Sequence, residues 1–145
     1  MLAQIIIKNL QKNKKIPVKA KKIKNIVSKV LKSCNIKNFA EINIYFVDNR
    51  KIKALNRRYL NKDYPTDVLA FDISKDKDRL YADIFVSLDM AISNAKLFRT
   101  SATYELFLYI IHGILHLLGF NDSNPQEQKA MREKENYFLN RFKLR

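Results

Sequence analysis

The sequence predicts a single α+β domain, in which a small mixed β-sheet of about four strands packs with about five helices. At 145 residues the chain is long enough for one compact core and short for two. Apolar residues make up 47% of it, which favours a folded globule over a disordered chain. Strand and helix patterns follow one another in the order β-α-β-α-β-β-α-α-α, and they assign residues 1–145 to one domain.

The first third of the chain predicts strand, helix, strand. Residues 4–10 form the first strand, and Pro17 opens a helix, as proline can at a first turn. The apolar residues of that helix recur at helical spacing and form one stripe, namely Ile23, Ile26, Val27, Val30 and Leu31. Residues 41–47 alternate between apolar and polar side chains, which is typical of a strand.

The middle of the chain predicts a helix and then two strands. Asp48 caps the helix, and Pro65 ends this segment. The side chains expected to face inward from the helix are Ile52, Leu55 and Tyr59. Residues 68–73 and 80–87 form the two strands, joined by a charged turn.

The last part of the chain is helical. A helix is expected over 88–98, followed by a helix over 102–118 that is apolar on most sides and therefore central. Gly119 stops this central helix, and Pro125 opens a final amphipathic helix toward Phe142.

Charge is unevenly distributed along the chain. There are 28 Lys and Arg against 14 Asp and Glu, a formal net charge of +14. Residues 1–40 contain eleven lysines and no acidic residue. This balance predicts attraction to a polyanion such as RNA, DNA or an anionic membrane. A solvated lysine surface without a partner explains the charge equally well.

Cysteine content and apolar runs indicate a soluble, cytoplasmic protein. The single cysteine, Cys34, rules out an intrachain disulfide and suits a reducing compartment. The N-terminus has no signal-peptide pattern. The longest apolar region, 106–120, is interrupted by two His and two Gly and is too short to span a bilayer, so no membrane association is expected.

The segment HGILHLLGFND, residues 112–122, contains both histidines of the chain. Residues four apart share one helix face, so His112 and His116 direct their rings to one point. This is the spacing that zinc-binding helices use. A reversal at Gly119 brings Asp122 within reach as a third ligand. Three protein ligands leave a position for water, as in catalytic zinc sites, so one Zn²⁺ per chain is expected.

Alternatives to this metal site follow from the same residues. The histidines could be satisfied core residues, although burying both unpaired would cost about 1–3 kcal/mol each. Asp122 could instead cap the next helix, in competition with Ser123 and Asn124. Gly113 occupies the position at which metalloproteases with an HExxH motif have their general base, which argues against peptide hydrolysis.

Three segments of the chain resemble one bacterial family. HGILHLLGFND is similar to the HGxLHLxGYDH signature of the YbeY family of endoribonucleases, also called rRNA maturation factors. LNRRYLNKDYPTDVLAFD resembles the family's LNxxYRxKDxPTDVLSFP, and ADIFVSLDMA resembles its GDIxISxxxA. The resemblance covers residues of about 55–135.

The resemblance implies a single metallohydrolase domain over 1–145. It implies a metal-dependent, single-strand-specific endoribonuclease that acts in rRNA maturation, especially of the small subunit, and in ribosome quality control. Single-stranded rRNA and the ribosome or a ribosomal protein would be its partners. The family's three metal-binding histidines correspond to His112, His116 and Asp122. Aspartate also ligates zinc, but it could shift the preference toward another divalent transition metal such as manganese or iron.

The chain departs from the family pattern at further positions. The family's arginine corresponds to Leu60, its serine to Ala70 and the aspartate before its third histidine to Asn121. Without this arginine, the sequence does not identify a side chain that would stabilise charge in the transition state, and no catalytic side chain is assigned. Thr66 and Asp67 match the family, either as part of a cleft beside the metal or as a turn that enters a strand.

Basic and aromatic residues are candidates for binding RNA. The phosphate backbone could follow the cationic side chains of Arg57, Arg58, Lys19, Lys22 and Lys29. Unpaired bases could stack on Tyr59, Tyr64 or Phe71, although each such aromatic residue is more often part of a core. Three hypotheses remain: an endoribonuclease, an rRNA- or ribosome-binding assembly factor with a structural metal, and a metallohydrolase of another substrate.

Overall fold

A computed structural model describes residues 3–36, 39–76 and 78–144. In these residues nine elements follow one another: β1 (Ala3–Asn9), α1 (Ala20–Ser33), β2 (Phe39–Val47), α2 (Asn49–Leu60), β3 (Val68–Asp72), β4 (Arg79–Ser87), α3 (Leu88–Phe98), α4 (Ala102–Leu117) and α5 (Pro125–Arg141). Their order and number confirm the predicted α+β class with four strands and five helices.

The four strands form one mixed sheet in the order β1-β2-β4-β3. β1 pairs in parallel with β2, and β2 in parallel with β4, so that Ile44 lies between Ile7 and Ile84. β3 runs antiparallel to β4, with Val68 opposite Val86. In the part of the chain that the structure describes, β1 and β3 are therefore the two edges of the sheet.

Alternating side chains of the strands separate two apolar clusters. Ile42 and Ile44 of β2 belong to the main core, together with residues of α1, α4 and α5. Val47 lies in a smaller cluster with Ile52 of α2 and Leu69 of β3, and Tyr45 packs against that cluster. Because neighbouring residues of a strand point to opposite faces, α2 covers one face of the sheet, while α1 and α4 cover the other.

Helix α4 is the central helix, as its apolar sequence predicts. Nine of its residues are buried, including Phe107, Ile110, Ile111 and Ile114. Gly113 lies where α4 approaches the sheet, and a Cβ atom there would be 3.3 Å from methyl groups of both Val68 and Ile84. The missing side chain thus lets the helix lie close to β3 and β4, which fixes the position of the two histidines on either side of Gly113.

Two local predictions were wrong. The first helix begins at Ala20 rather than Pro17, because the backbone of Lys19 is still extended and the helix has no side-chain cap. Tyr59 does not face inward: it is 55% exposed, and its ring lies 5.3 Å from the ring of Phe71. Ile52 is buried as predicted. The other buried residue of α2 is Asn56, whose side-chain amide donates a hydrogen bond to the Tyr64 carbonyl at 2.9 Å.

Other helix signals are confirmed. The Asp48 side chain accepts a hydrogen bond from the backbone N–H of Lys51, as a helix cap does. Among the described residues, no helix is both long enough and apolar enough to cross a membrane.

Candidate metal centre

Two histidines one helical turn apart form the base of the site. His112 and His116 lie in the last part of α4, and their ring centroids are 4.6 Å apart. Both side chains are partly exposed, with 24% and 34% of their surface accessible. The rings therefore open toward solvent and do not sit in the apolar core, which argues against a purely structural role for the pair.

The chain reverses direction directly after α4. Gly119 has a φ of +99°, a conformation that strongly favours glycine, and the N–H of Phe120 donates to the carbonyl of Leu115. This reversal returns the following residues toward the histidine rings. As a result, Oδ2 of Asp122 lies 3.4 Å from Nε2 of His112 and 3.4 Å from Nε2 of His116.

The helix-capping alternative for Asp122 is wrong. The N-cap of α5 is Asn124, whose side chain accepts a hydrogen bond from the N–H of Glu127 at 2.8 Å. Glu127 in turn accepts hydrogen bonds from the side chain of Asn124 and the N–H of Ser123. Capping is thus complete without the carboxylate of Asp122, which is free to face the histidines.

The three donor atoms lie close enough together to hold one metal ion. Ligand atoms of His112, His116 and Asp122 all lie within 4.8 Å of one another. With bonds of about 2.0–2.1 Å, neighbouring corners of a tetrahedron around zinc are about 3.3 Å apart. The two nitrogen–oxygen distances of 3.4 Å agree with that edge. The residues therefore fit a divalent metal ion, although this geometry does not identify which metal it is.

Glu135 of α5 orients one of the histidines. Its Oε2 atom lies 2.5 Å from Nδ1 of His112, and its side chain is only 11% exposed. A carboxylate at Nδ1 favours the tautomer with its proton on that atom, so Nε2 keeps its lone pair for a metal.

The electrostatic environment of His112 favours a cation. Burial lowers the pKa of His112, but the hydrogen bond and charge of Glu135, with the charges of Asp67 and Asp122, outweigh burial and raise that pKa. Negative charge that stabilises a protonated imidazole also stabilises a metal ion in the same place.

Hydrogen bonds of Asp67 support the predicted turn into β3. Asp67 accepts a hydrogen bond from the N–H of Val68, and its carbonyl accepts one from the N–H of Ser87, so it fixes the turn that enters β3. The hydroxyl of Thr66 lies 3.3 Å from the same carboxylate. Since the Asp67 charge also acts on His112, this turn contributes to the negative potential at the metal centre.

A groove of about 440 Å³ adjoins His116. It is lined by residues of α2, β3 and α4, namely Leu60, Val68, Leu69, Ala70, Phe71, Asp72, His116 and Leu117. The positions at which the resembling family has arginine and serine, Leu60 and Ala70, both lie on this wall. The groove beside the metal centre is consequently more apolar than the family pattern implies.

The basic candidates lie in two separate places. Arg57 and Arg58 line a shallow depression of about 540 Å³ on α2, together with Arg50 and Lys53. Lys19, Lys22 and Lys29 belong to α1 and its N-cap, on the opposite face of the sheet. The structure therefore does not bring the five candidates together. Of the aromatic candidates, Tyr59 and Tyr64 are exposed, and Phe71 is half-buried.

Sequence reasoning missed Glu135. The signal was present: Met131, Glu135, Phe138 and Leu139 are the buried residues of α5, so one acid occupies the apolar stripe of an amphipathic helix. A carboxylate at such a position requires a partner. That this partner is His112, 23 residues earlier, depends on how α5 packs on α4 and could not be obtained from spacing alone.

The fold and this site define an α+β protein with a three-residue cluster, on and beside a central helix, that could hold a metal ion. The family model described as endoribonuclease YbeY matches residues 6–143. The chain belongs to this family of endoribonucleases.

Individual relatives agree with this assignment. An endoribonuclease YbeY of Bacteroides thetaiotaomicron is 46% identical over 103 residues, which is 71% of this chain and 74% of the relative. That of Syntrophus aciditrophicus is 35% identical over 142 residues, or 93% and 87%. The solution structure of a Thermotoga maritima protein matches with a TM-score of 0.66 and 28% identity, over 94% of this chain and 87% of the other.

Proposed function

We propose that this endoribonuclease cuts single-stranded RNA at a metal ion held by His112, His116 and Asp122, and that its biological substrate is rRNA, chiefly of the small subunit. Maturation and quality control of ribosomes in the cytoplasm would then be its role, with the ribosome or a ribosomal protein as partner. The observation that carries this proposal is the three-ligand arrangement, since three donors leave a coordination position for reaction.

The chain's own residues provide the setting for hydrolysis. A bound Zn²⁺ would supply Lewis acidity toward a phosphoryl oxygen and lower the pKa of a water ligand toward about 7. Glu135 holds His112 in the tautomer that leaves Nε2 available, and Asp122 fixes the third direction. Asp67 and Glu135 add negative charge, which strengthens retention of the cation.

The groove favours an unpaired RNA strand. Its walls carry apolar side chains such as Leu60, Val68 and Leu117, beside His116. An unstacked base can lie against such a surface, whereas a base in a duplex is covered by its neighbours. Arg57 and Arg58 line a separate depression on the same helix as Leu60 and would neutralise phosphates that leave the groove.

A second candidate function is ribosome assembly without efficient cleavage, with a structural metal. Leu60 favours it, since this position faces the groove without the cation that the family pattern implies. Peptide hydrolysis is disfavoured, because Gly113 supplies no general base and is packed against Val68 and Ile84.

The proposal can be tested with two substrates, small-subunit precursor rRNA and a matched duplex. Cleavage of each is compared between the wild type and His116→Ala. We expect the wild type to cut single-stranded segments only, to lose activity with a chelator and to regain it with Zn²⁺. His116→Ala should be inactive, with unchanged circular dichroism. Cleavage by metal-free His116→Ala would contradict the proposal, and metal binding without any cleavage would favour the assembly factor.

A further inference from the structure

Helix α1 presents a continuous cationic surface. Its buried residues, Ile23, Ile26, Val27, Val30 and Leu31, form one stripe. At 100° per residue the exposed lysines fall on the opposite side, within an arc of roughly 160°. These residues, called the lysine face below, are Lys21, Lys22, Lys24, Lys29 and Lys32. From Lys21 to Lys32 the face extends about 16 Å along the helix.

The charge of the lysine face is not neutralised by its surroundings. Described residues 3–36 include no acidic residue. Lys14, outside the face, is the lysine of this described segment that forms an ion pair, with Asp89 at 2.7 Å. Like charges along one helix face repel one another and do not stabilise the helix. The accumulated charge is therefore unfavourable for the fold by itself, which points to an external anion.

Two lysines of the face lie over aromatic rings of neighbouring helices. The ammonium group of Lys22 lies 5.8 Å from the ring centre of Phe107, and that of Lys29 lies 5.8 Å from that of Phe142. These contacts hold both cations above the surface of α4 and the end of α5, without neutralising their charge.

The lysine face is remote from the groove at the metal centre. α1 packs on β1, whereas the groove is lined by β3, and these two strands are the opposite edges of the sheet. Three strand spacings separate these edges, or about 14 Å. An RNA segment that contacts both places must therefore extend beyond the part that occupies the groove.

We propose that the lysine face is a second, non-catalytic RNA-binding surface, which holds the phosphate backbone of RNA flanking the segment to be cut. This rests on the proposed function for the identity of the polyanion. RNA is favoured over an anionic membrane because the large apolar residues of α1 are all buried, so the face offers no large apolar side chain for insertion.

The proposal can be tested by measuring the binding of an RNA duplex with a single-stranded tail. Fluorescence anisotropy gives the affinity at a series of salt concentrations. The variant Lys21→Gln/Lys24→Gln/Lys32→Gln removes three cations that make no aromatic contact. Its matched control, Lys75→Gln/Lys96→Gln/Lys129→Gln, removes three exposed cations elsewhere. We expect the first variant to reduce the salt slope by about 2 and the affinity by about tenfold, with a clearly smaller effect of the control.

Further measurements distinguish RNA binding by the lysine face from the proposed nuclease activity. Cleavage of the tail alone, as a short oligonucleotide, should be equal in the wild type and the lysine-face variant. Lys21→Arg/Lys24→Arg/Lys32→Arg should restore binding. Equal losses in variant and control, or unchanged binding in both, would overturn the proposal, as would loss of binding to phosphatidylserine vesicles with RNA binding retained. Selective loss of duplex binding in a chain that cleaves nothing would support the lysine face and contradict the nuclease.

Discussion

Nδ1 of His112 lies 2.5 Å from Oε2 of Glu135, so a carboxylate on α5 determines which nitrogen of an α4 histidine faces the metal centre. The same contact joins the last helix of the domain to the central one. Because Asp122 lies in the connection between these helices, the site depends on their relative position. Several consequences can be measured.

Glu135→Gln should weaken metal binding by about 10–100-fold, because an amide can neither hold the His112 tautomer by charge nor add negative potential. Isothermal titration with Zn²⁺ measures the effect. Glu133→Gln is the matched control, since Glu133 is exposed on the same helix. Equal affinities of the two variants would show that Glu135 does not support the site.

Asp122→Asn should lower the affinity for a divalent metal by at least about tenfold, since it removes the negative charge 3.4 Å from both Nε2 atoms. Asp122→His should regain affinity and shift the preference toward zinc over manganese, because imidazole is the softer ligand. Competition between the two metals measures both effects. Unaltered binding in Asp122→Asn would exclude Asp122 as a ligand.

Leu60→Arg should raise the rate of RNA cleavage, by roughly tenfold, because it places a cation on the groove wall that also includes His116. Single-turnover kinetics with a single-stranded oligonucleotide measures the change. Ala54→Arg adds the same charge on α2, in the basic depression and outside this groove, and should leave the rate constant of cleavage unchanged. A similar increase in both variants would indicate a general charge effect.

Gly113→Ala should destabilise the protein by about 1 kcal/mol. The new methyl group would lie 3.3 Å from methyl groups of Val68 and Ile84, whose β-branched side chains have little rotamer freedom. Overpacking costs about 1–3 kcal/mol, which exceeds the gain of about 1 kcal/mol from helix propensity. Thermal unfolding should show a midpoint lower by about 2–4 °C. A higher midpoint would mean that α4 does not need glycine for its approach to the sheet.

Asp89 should make the free energy of unfolding depend on pH. The hydrogen bond from Lys14 lowers the pKa of Asp89; burial opposes this, whereas the N–H of Asn49 and the charge of Lys14 add to it. Because the folded-state pKa is below the ordinary 3.8, the ionised group stabilises the fold above that value. The stabilisation is lost as the pH falls through the folded-state pKa. Unfolding midpoints of the wild type and Asp89→Asn should therefore converge below pH 3.8, and a constant difference would contradict this.

Local patterns in the sequence predicted most of the fold. The helix predicted over 88–98 has the bounds of α3, and in the structure the Ser87 side chain caps it by accepting a hydrogen bond from the N–H of Met90. The start of α1 was wrong because proline permits a first turn without requiring one. The prediction that Tyr59 faces inward was wrong because helical spacing indicates which side of a helix faces the sheet, but not where the sheet ends.

The candidate site was predictable as far as its residues lie close in sequence. His112 and His116 are one turn apart, and Gly119 indicates the chain reversal that brings Asp122 close to the two histidines. Glu135 was not predicted, because its contact with His112 arises from the packing of two helices. The separation of Arg57 and Arg58 from the lysines of α1 is likewise a property of the sheet, whose two faces these helices cover.

The metal centre can be tested by measuring metal content per chain with plasma mass spectrometry. The wild type and Asp122→Ala are compared, each purified without a metal-binding tag. A site formed by His112, His116 and Asp122 predicts one transition-metal ion per chain in the wild type and a clear loss in the variant. Absence of metal from both, with circular dichroism unchanged, would contradict the metal centre and leave the two histidines with a structural role.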